Sequence, residues 1–208
     1  MDAIAAMPTV GVLALQGDAI EHLAALERAG ARAIAVKTPA QLELVAGLVV
    51  PGGESTTVMK LLARFELDAP IAARVRAGMP FWGTCMGMIV AAAHVADLDQ
   101  PTLDLIDITV RRNAFGRQND SAETDLPIAV LGARPFRAIF IRAPWVERVG
   151  PHVEVLAQRA GHAVMVRQAN VLATAFHPEL TDDPRVHEYF LEMIRTANAH
   201  VGKASTAA

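Results

Sequence analysis

The segment Phe81-Trp-Gly-Thr-Cys-Met-Gly-Met88 sets the chain's single cysteine, Cys85, between two glycines at the end of an apolar run. A helical pattern resumes at about Met86 with Ile89 and Val90, so Cys85 falls in a sharp strand-to-helix turn of the form Gly-x-Cys-x-Gly. This is the logic of a nucleophile elbow: small flanking residues let the backbone crowd, and the reactive side chain points out over the sheet. A thiol at a helix N-terminus is also biased toward the thiolate, the form that attacks. A buried cysteine with a purely structural role is the competing reading, and the paired glycines weigh against it.

A thiol nucleophile needs a base to take its proton, and the base needs a third group to orient it. Thr174-Ala-Phe-His-Pro-Glu179 follows another apolar run and offers His177 and Glu179 two positions apart, with Pro178 fixing the backbone between them. An exposed loop histidine and glutamate would be the bland alternative. Metal chemistry finds no motif here: HExxH is absent, and His-x-Glu lacks the Pro-Cys-x-x-Cys that zinc deaminases pair with it.

Two further segments offer binding groups. Pro51-Gly-Gly-Glu-Ser-Thr-Thr57 puts two glycines after a buried strand, where backbone N–H groups are free to face a ligand as an oxyanion hole or amide cradle. Ser55 or Thr56 is expected to cap the helix that follows. Arg111, Arg112 and Arg117 cluster within a short stretch, either as a solvated basic loop or as a guanidinium clamp for a carboxylate. Neither a Walker-type phosphate loop nor a GxGxxG after the first strand is present, which argues against a nucleotide site.

The elements that must position these groups read as buried strands alternating with helices. Val10 to Leu15, Ala33 to Val36, Leu48 to Val50 and Pro80 to Trp82 are short apolar runs, each separated from the last by a helical segment. The spacing predicts a parallel sheet with helices on both faces. Asp18 is expected to cap a helix that carries Ile20, Leu23 and Leu26 and closes at Gly30. From Leu105 onward the strands Ile108–Val110, Ala138–Ile141, Val153–Leu156, Ala163–Val166 and Val171–Ala175 lie close enough to include antiparallel pairs, so the sheet should be mixed. A last helix is predicted over Asp183 to Ala199, with Val186, Tyr189, Phe190, Met193 and Ile194 on one stripe. In such a sheet ligands sit beyond the carboxyl ends of the strands, which is where all four segments fall.

Composition narrows the class. The chain has 208 residues, 52% hydrophobic and 20% charged, a globular balance that fits one domain with tails at about 1–7 and 200–208. Mean hydropathy is +0.29, but no uninterrupted apolar stretch is long enough to span a bilayer. A net charge of −3 gives no electrostatic case for nucleic acid or membrane surfaces. One cysteine excludes an internal disulfide framework, and the N-terminus lacks the charge pattern of a secretory or transit signal, so a cytoplasmic protein is expected.

Taken together, the motifs resemble the triad-type (class I) glutamine amidotransferases. Gly-x-Cys-x-Gly is followed about 90 residues later by His-Pro-Glu. Leu13-Ala-Leu-Gln-Gly17, Pro51-Gly-Gly-Glu-Ser-Thr-Thr57, Arg112-Asn-Ala-Phe-Gly-Arg-Gln118, Phe140-Ile-Arg-Ala-Pro144 and Phe176-His-Pro-Glu-Leu180 resemble one branch closely, the glutaminase subunits of pyridoxal 5′-phosphate synthases. The resemblance runs from about Val10 to Ile194. It implies a flavodoxin-like α/β three-layer sandwich that hydrolyses L-glutamine to glutamate and ammonia with neither cofactor nor metal. Cys85 would attack the amide, His177 would shuttle protons and Glu179 would hold His177. Backbone N–H groups of Gly53 and Met86 would bind the oxyanion. Gly52, Gly53, Glu54, Arg112, Ile141 and Arg142 match the branch's glutamine-binding positions, and Arg112 suits the α-carboxylate on charge. The resemblance further implies a lyase-type synthase subunit that receives the ammonia in a hetero-oligomer. Docking activates the glutaminases of this branch, and a Gly52–Gly53 peptide that must reorient is a physical cause consistent with the paired glycines. Met86, Trp82 and Asp18 depart from the usual pattern of the branch. A stand-alone cysteine hydrolase and a non-catalytic scaffolding subunit are the alternatives.

Overall fold

The computed structural model describes residues 7–96, 98–112 and 121–205, with side chains as far as residue 199. The first half alternates strand and helix as the sequence predicts. It contains β1 (Thr9–Leu13), α1 (Ala19–Arg28), β2 (Arg32–Val36), α2 (Pro39–Leu42), β3 (Gly47–Val50), α3 (Ser55–Arg64), α4 (Asp68–Arg76), β4 (Phe81–Thr84) and α5 (Met86–Ala91). The second half is strand-rich: β5 (Ala92–Val95), β6 (Ile106–Arg111), β7 (Ser121–Leu126), β8 (Phe136–Ile141), β9 (Trp145–Val149), β10 (Glu154–Arg159), β11 (His162–Gln168) and β12 (Val171–Thr174) precede the long helix α6 (Arg185–Ser205).

The main sheet runs in the order β2-β1-β3-β4-β12-β11-β9-β6-β5, with β10 added beside β11. Its β2-β1-β3-β4-β12 half is parallel throughout, and the antiparallel pairs gather around β11 and β9. The mixed, mainly parallel sheet of a flavodoxin-like sandwich is therefore present. Every residue of β3, β4 and β12 is buried, as strands covered on both faces require.

Alternation along β4 shows how the layers are set. Trp82 and Thr84 face α1 and α6, where the Trp82 ring meets His22, His187 and Phe190. Gly83 points the other way, where a Cβ would stand 2.3 Å from the Gly87 carbonyl of α5. Helix α3 packs against α4 and α5 on that second face.

Several expectations need correction. Helix α1 turns Ile20 out to solvent, while Leu26 is buried as expected and Leu23 is half-buried; Ala19, His22 and Ala25 complete the buried face. The buried stripe begins at Ala19 rather than at Ile20. Asp18 stands at the N-cap position, but its side chain makes no capping bond. Strand β8 forms, yet it pairs with β7 in a separate two-stranded ladder rather than joining the main sheet. Strands β5, β7 and β9 have no counterpart in the expected list. β5 follows α5 without a break and reads as helix, while β7 and β9 are mostly polar at their exposed positions. Helix α6 continues past Ala199 to Ser205. Residues 1–6 of the expected N-terminal tail, and Asn113 to Gln118 of the arginine segment, lie outside the described residues. No helix among the described residues is long and apolar enough to cross a membrane.

Candidate active site

Four neighbouring parallel strands, β1, β3, β4 and β12, end at one edge, and the loops after them deliver the candidate residues to one place. Gln16 and Asp18 follow β1, Gly53 and Glu54 follow β3, Cys85 follows β4, and His177 follows β12. They line a cavity of about 430 Å³ together with Met86, Ile89, Arg112, Ile141, Arg142 and Pro144. The strand order reverses direction at β1, so the cavity lies where an open α/β sheet binds ligands.

Cys85 occupies a backbone conformation that L-residues avoid, with φ +50° and ψ −105°. Such a residue costs of order 1–3 kcal/mol and persists only when its surroundings dictate it. Here they do: the Cys85 N–H donates to the Thr174 carbonyl at 2.7 Å, and α5 starts at the next residue. The elbow also needs its glycines. A Cβ on Gly87 would lie 2.1 Å from the Val50 carbonyl oxygen, and one on Gly83 would collide with the backbone of α5. The Cys85 thiol donates to the Ile141 carbonyl at 3.8 Å, across to the end of β8.

His177 and Glu179 are both buried, not exposed on a loop. His177 Nδ1 lies 2.7 Å from Glu179 Oε1. The His177 N–H donates to the Ile139 carbonyl at 2.8 Å, which ties β8 to the site, and Pro178 opens a 3₁₀ turn, Pro178–Leu180, that carries Glu179 inward. Burial opposes a charge on His177, but hydrogen bonds and opposite charge from Cys85 on one side and Glu179 on the other outweigh it and push its pKa up to about 10. Burial likewise works against a Glu179 carboxylate. The charge of His22 and the bonds from His177 and His22 overcome it and hold Glu179 well below the usual carboxylate range. Asp18 Oδ2 sits 3.7 Å from His177 Nδ1, so two carboxylates address one nitrogen, with Glu179 the closer by an ångström.

The turn after β3 carries the second set. Gly53 has φ +150°, and a Cβ there would meet the Gln16 amide at 2.6 Å; a Cβ on Gly52 would stand 2.6 Å from His177 Cε1. No other residue fits either position without displacing a neighbour. The Glu54 N–H donates to Gln16 Oε1 at 2.9 Å. The cap of α3 is Glu54, not Ser55 or Thr56: its carboxylate accepts the Thr57 N–H at 2.7 Å and the Thr56 hydroxyl. Ser55 instead donates to Gln100 Oε1 at 3.1 Å. Although desolvation raises the Glu54 pKa, its bonds from Thr56 and Thr57 bring it down to about 2. Arg112 Nη2 lies 3.4 Å from Glu54 Oε1, with Nη1 3.5 Å from Gln100 Oε1. Arg142 follows β8 and lines the cavity with φ +44°.

Every site residue expected from the sequence therefore reaches this one cavity except Glu179, which stands behind His177, and Gly52, which packs against the His177 ring. Sequence reasoning missed Gln16, which obeys the same rule of following a buried strand, and it assigned Asp18 to capping. It also missed His22 and His187, both buried behind Glu179.

Comparison with known proteins agrees with the geometry. The model of the SNO glutamine amidotransferase family matches residues 12–196. The chain belongs to that family. A pyridoxal 5′-phosphate synthase subunit PdxT from Nocardia farcinica is 55% identical over 206 residues, 96% of this chain and 91% of the relative. The subunit of the same name from Mycobacteroides abscessus is 58% identical over 191 residues, 90% of this chain and 98% of the relative. Among solved structures, a glutamine amidotransferase superposes with TM-score 0.85 at 48% identity, covering 89% of this chain and 98% of its own. PurLQS from Thermotoga maritima superposes at TM-score 0.67 with 15% identity, a likeness of fold alone, over 89% of this chain and 98% of its own.

Proposed function

We propose that this chain is the glutaminase subunit of a pyridoxal 5′-phosphate synthase, using Cys85, His177 and Glu179 as its catalytic set. The observation that carries the reading is a cysteine held at φ +50° on an elbow, beside a buried histidine whose far nitrogen is 2.7 Å from a buried carboxylate. Cys85 attacks the side-chain amide carbon of L-glutamine. The oxyanion takes hydrogen bonds from the backbone N–H groups of Gly53 and of Met86, the latter in the first turn of α5 where the helix supplies no acceptor. Collapse breaks the C–N bond, His177 gives the leaving nitrogen its proton, and ammonia departs. Water activated by His177 then adds to the γ-glutamyl thioester, and its C–S bond breaks to give glutamate and the free thiol.

Arg112 provides the positive charge for the substrate α-carboxylate, and Glu54 acts indirectly, by capping α3 and holding Arg112. Gly52 and Gly53 keep the turn narrow, and the Ile141 carbonyl and Arg142 close the opposite wall. Ammonia is protonated in open water, so the reading includes a synthase partner that receives it directly and builds pyridoxal 5′-phosphate from a pentose phosphate and a triose phosphate. The same reading places the protein in the cytoplasm, whose reducing poise keeps a nucleophilic cysteine as a thiol. The test is glutamate release from L-glutamine by wild type and Cys85→Ala, each with and without the cognate synthase subunit. Partner-stimulated release that vanishes in Cys85→Ala supports the whole reading. Equal release without the partner would mean an independent hydrolase, and no release from a docked wild type would mean a scaffold.

A further inference from the structure

His22 and His187 are fully buried, ionisable and unused by the reaction just described. They are also contiguous with it. His22 Nε2, on α1, lies 3.2 Å from Glu179 Oε2 and 3.1 Å from Thr84 Oγ1. His22 Nδ1 lies 3.3 Å from His187 Nε2, on α6. The Trp82 ring stands edge-on to both imidazoles, at 5.4 Å and 4.9 Å between centroids, and donates its indole N–H to Thr174 Oγ1 at 3.1 Å. The result is a buried column of three rings running from α6 to the back of the carboxylate.

Glu179 needs such a support. Its Oε1 is taken by His177, while buried Oε2 has, among the described residues, only the His22 ring at 3.2 Å, a contact short of good hydrogen-bond geometry. His22 Nε2 faces that oxygen, but its better-aligned bond goes to Thr84. A buried carboxylate oxygen with no partner is costly, so the position of the His22 ring decides how firmly Glu179 is held.

We propose that His22, braced by His187, is a positioning residue of the glutaminase: it fixes the Glu179 carboxylate from behind and through it the orientation of His177 toward Cys85. The proposal rests on the triad assigned above. A carboxylate turned by tens of degrees would release the His177 ring, and with it the line to the thiol. His187 suits the brace because burial, with the charge of His22 beside it, pushes its pKa down to about 3, leaving a neutral ring. A neutral imidazole can meet His22 Nδ1 with either an N–H or a lone pair and so fixes its rotation whichever nitrogen carries the proton. The titratable and charged groups around the column are Glu179 and His177 in front, Asp18 beside His177, and Arg28, whose charge acts on His187 from the end of α1.

The test compares two amides of equal polarity. In His22→Gln the amide reaches the place of Nε2 and can donate to Glu179; in His22→Asn it reaches only the place of Nδ1 and can meet only His187. The full-length chain is assayed with its cognate synthase subunit for glutamate release across pH, and without it for the pH dependence of Cys85 alkylation by iodoacetamide. His22→Asn is expected to lose about 10- to 100-fold in kcat, the range seen when a partner orienting a catalytic group is removed, with KM within about twofold. Its acid limb moves to higher pH, because a carboxylate losing a cationic or N–H partner takes up its proton sooner. His22→Gln keeps the wild-type limb and most of kcat. Asn and Gln variants with the same limb and the same kcat would overturn the proposal, as would a shared fall in Tm with no difference between them. Cys85→Ala runs alongside: if it releases glutamate as fast as wild type, the triad is wrong. The alkylation profiles of the His22 variants still report on the column in that event.

Discussion

In front of the His177–Glu179 pair lies an open cavity lined by charge and main chain; behind it lies a closed wall of rings. The front is made of loops: Glu54 and Arg112 meet at 3.4 Å with their side chains 45% and 24% exposed. The back is made of β4, α1 and α6, and Trp82, His22 and His187 are at most 1% exposed. A solvated ion pair contributes little and is easily exchanged for a substrate's own charges. A buried polar column is strong when satisfied and costly when broken. On the proposed reading the two sides do different work: the front binds and can rearrange, while the back fixes the direction of the proton-transferring imidazole.

Gly53→Ala should give the largest effect on the front. Its Cβ would meet the Gln16 amide at 2.6 Å in a backbone region unfavourable to alanine. The N–H proposed to bind the oxyanion would then be mis-aimed, and losing one such donor costs about 10²- to 10³-fold in kcat. Glutamate release by the docked complex measures this, and an unchanged rate would remove Gly53 from the oxyanion site.

Next in size is a pair of substitutions that should separate the two sides. Arg112→Gln is expected to raise KM for glutamine by about 10- to 100-fold, the worth of one charge-assisted hydrogen bond, while leaving Tm within a degree or two. Trp82→Phe should do the reverse. It deletes the indole bond to Thr174 and opens a gap in a packed wall, for about 2 kcal/mol and a Tm lower by roughly 4–8 °C, with KM unchanged. Calorimetry and steady-state kinetics on both variants check this. If Trp82→Phe raised KM, or Arg112→Gln lowered Tm as much, the division would fail.

The same division explains what the sequence makes legible. Front residues follow apolar runs, so Cys85, Glu54 and His177 can be placed at strand ends from burial and topology alone. His22 and His187 sit inside helices and carry no motif. Their signal is periodicity: Ala19, His22 and Leu26 share one face of α1, and an imidazole on a buried stripe demands a partner. Taking Ile20 as a core residue hides that stripe. The partner itself is unreadable, because His187 is 165 positions away and only the packing of α1 on α6 joins them. Strand β8 hides for a related reason. Its alternating pattern looks like any mixed-sheet strand, and the bonds from the His177 backbone N–H to the Ile139 carbonyl and from the Cys85 thiol to the Ile141 carbonyl reveal that it lies over the site.

The smallest expected effect is that of Glu54→Gln, and its pH dependence is the sharpest check on the front. The Glu54 carboxylate caps α3 with its pKa brought down from 4.5 to about 2. A carboxylate whose folded-state pKa is depressed contributes stability that is present above its ordinary value and is lost as the pH falls toward the lowered one. The difference in urea midpoint between wild type and Glu54→Gln should therefore be steady from pH 7 to about pH 5 and shrink between about 4.5 and 2. With the side chain nearly half exposed, solvent screening keeps the difference below about 1 kcal/mol. Gln retains an acceptor for the Thr57 N–H, so the cap survives in part. A difference of several kcal/mol would mean that the front is as rigidly built as the back, and that glutamine enters a preformed pocket without rearranging it.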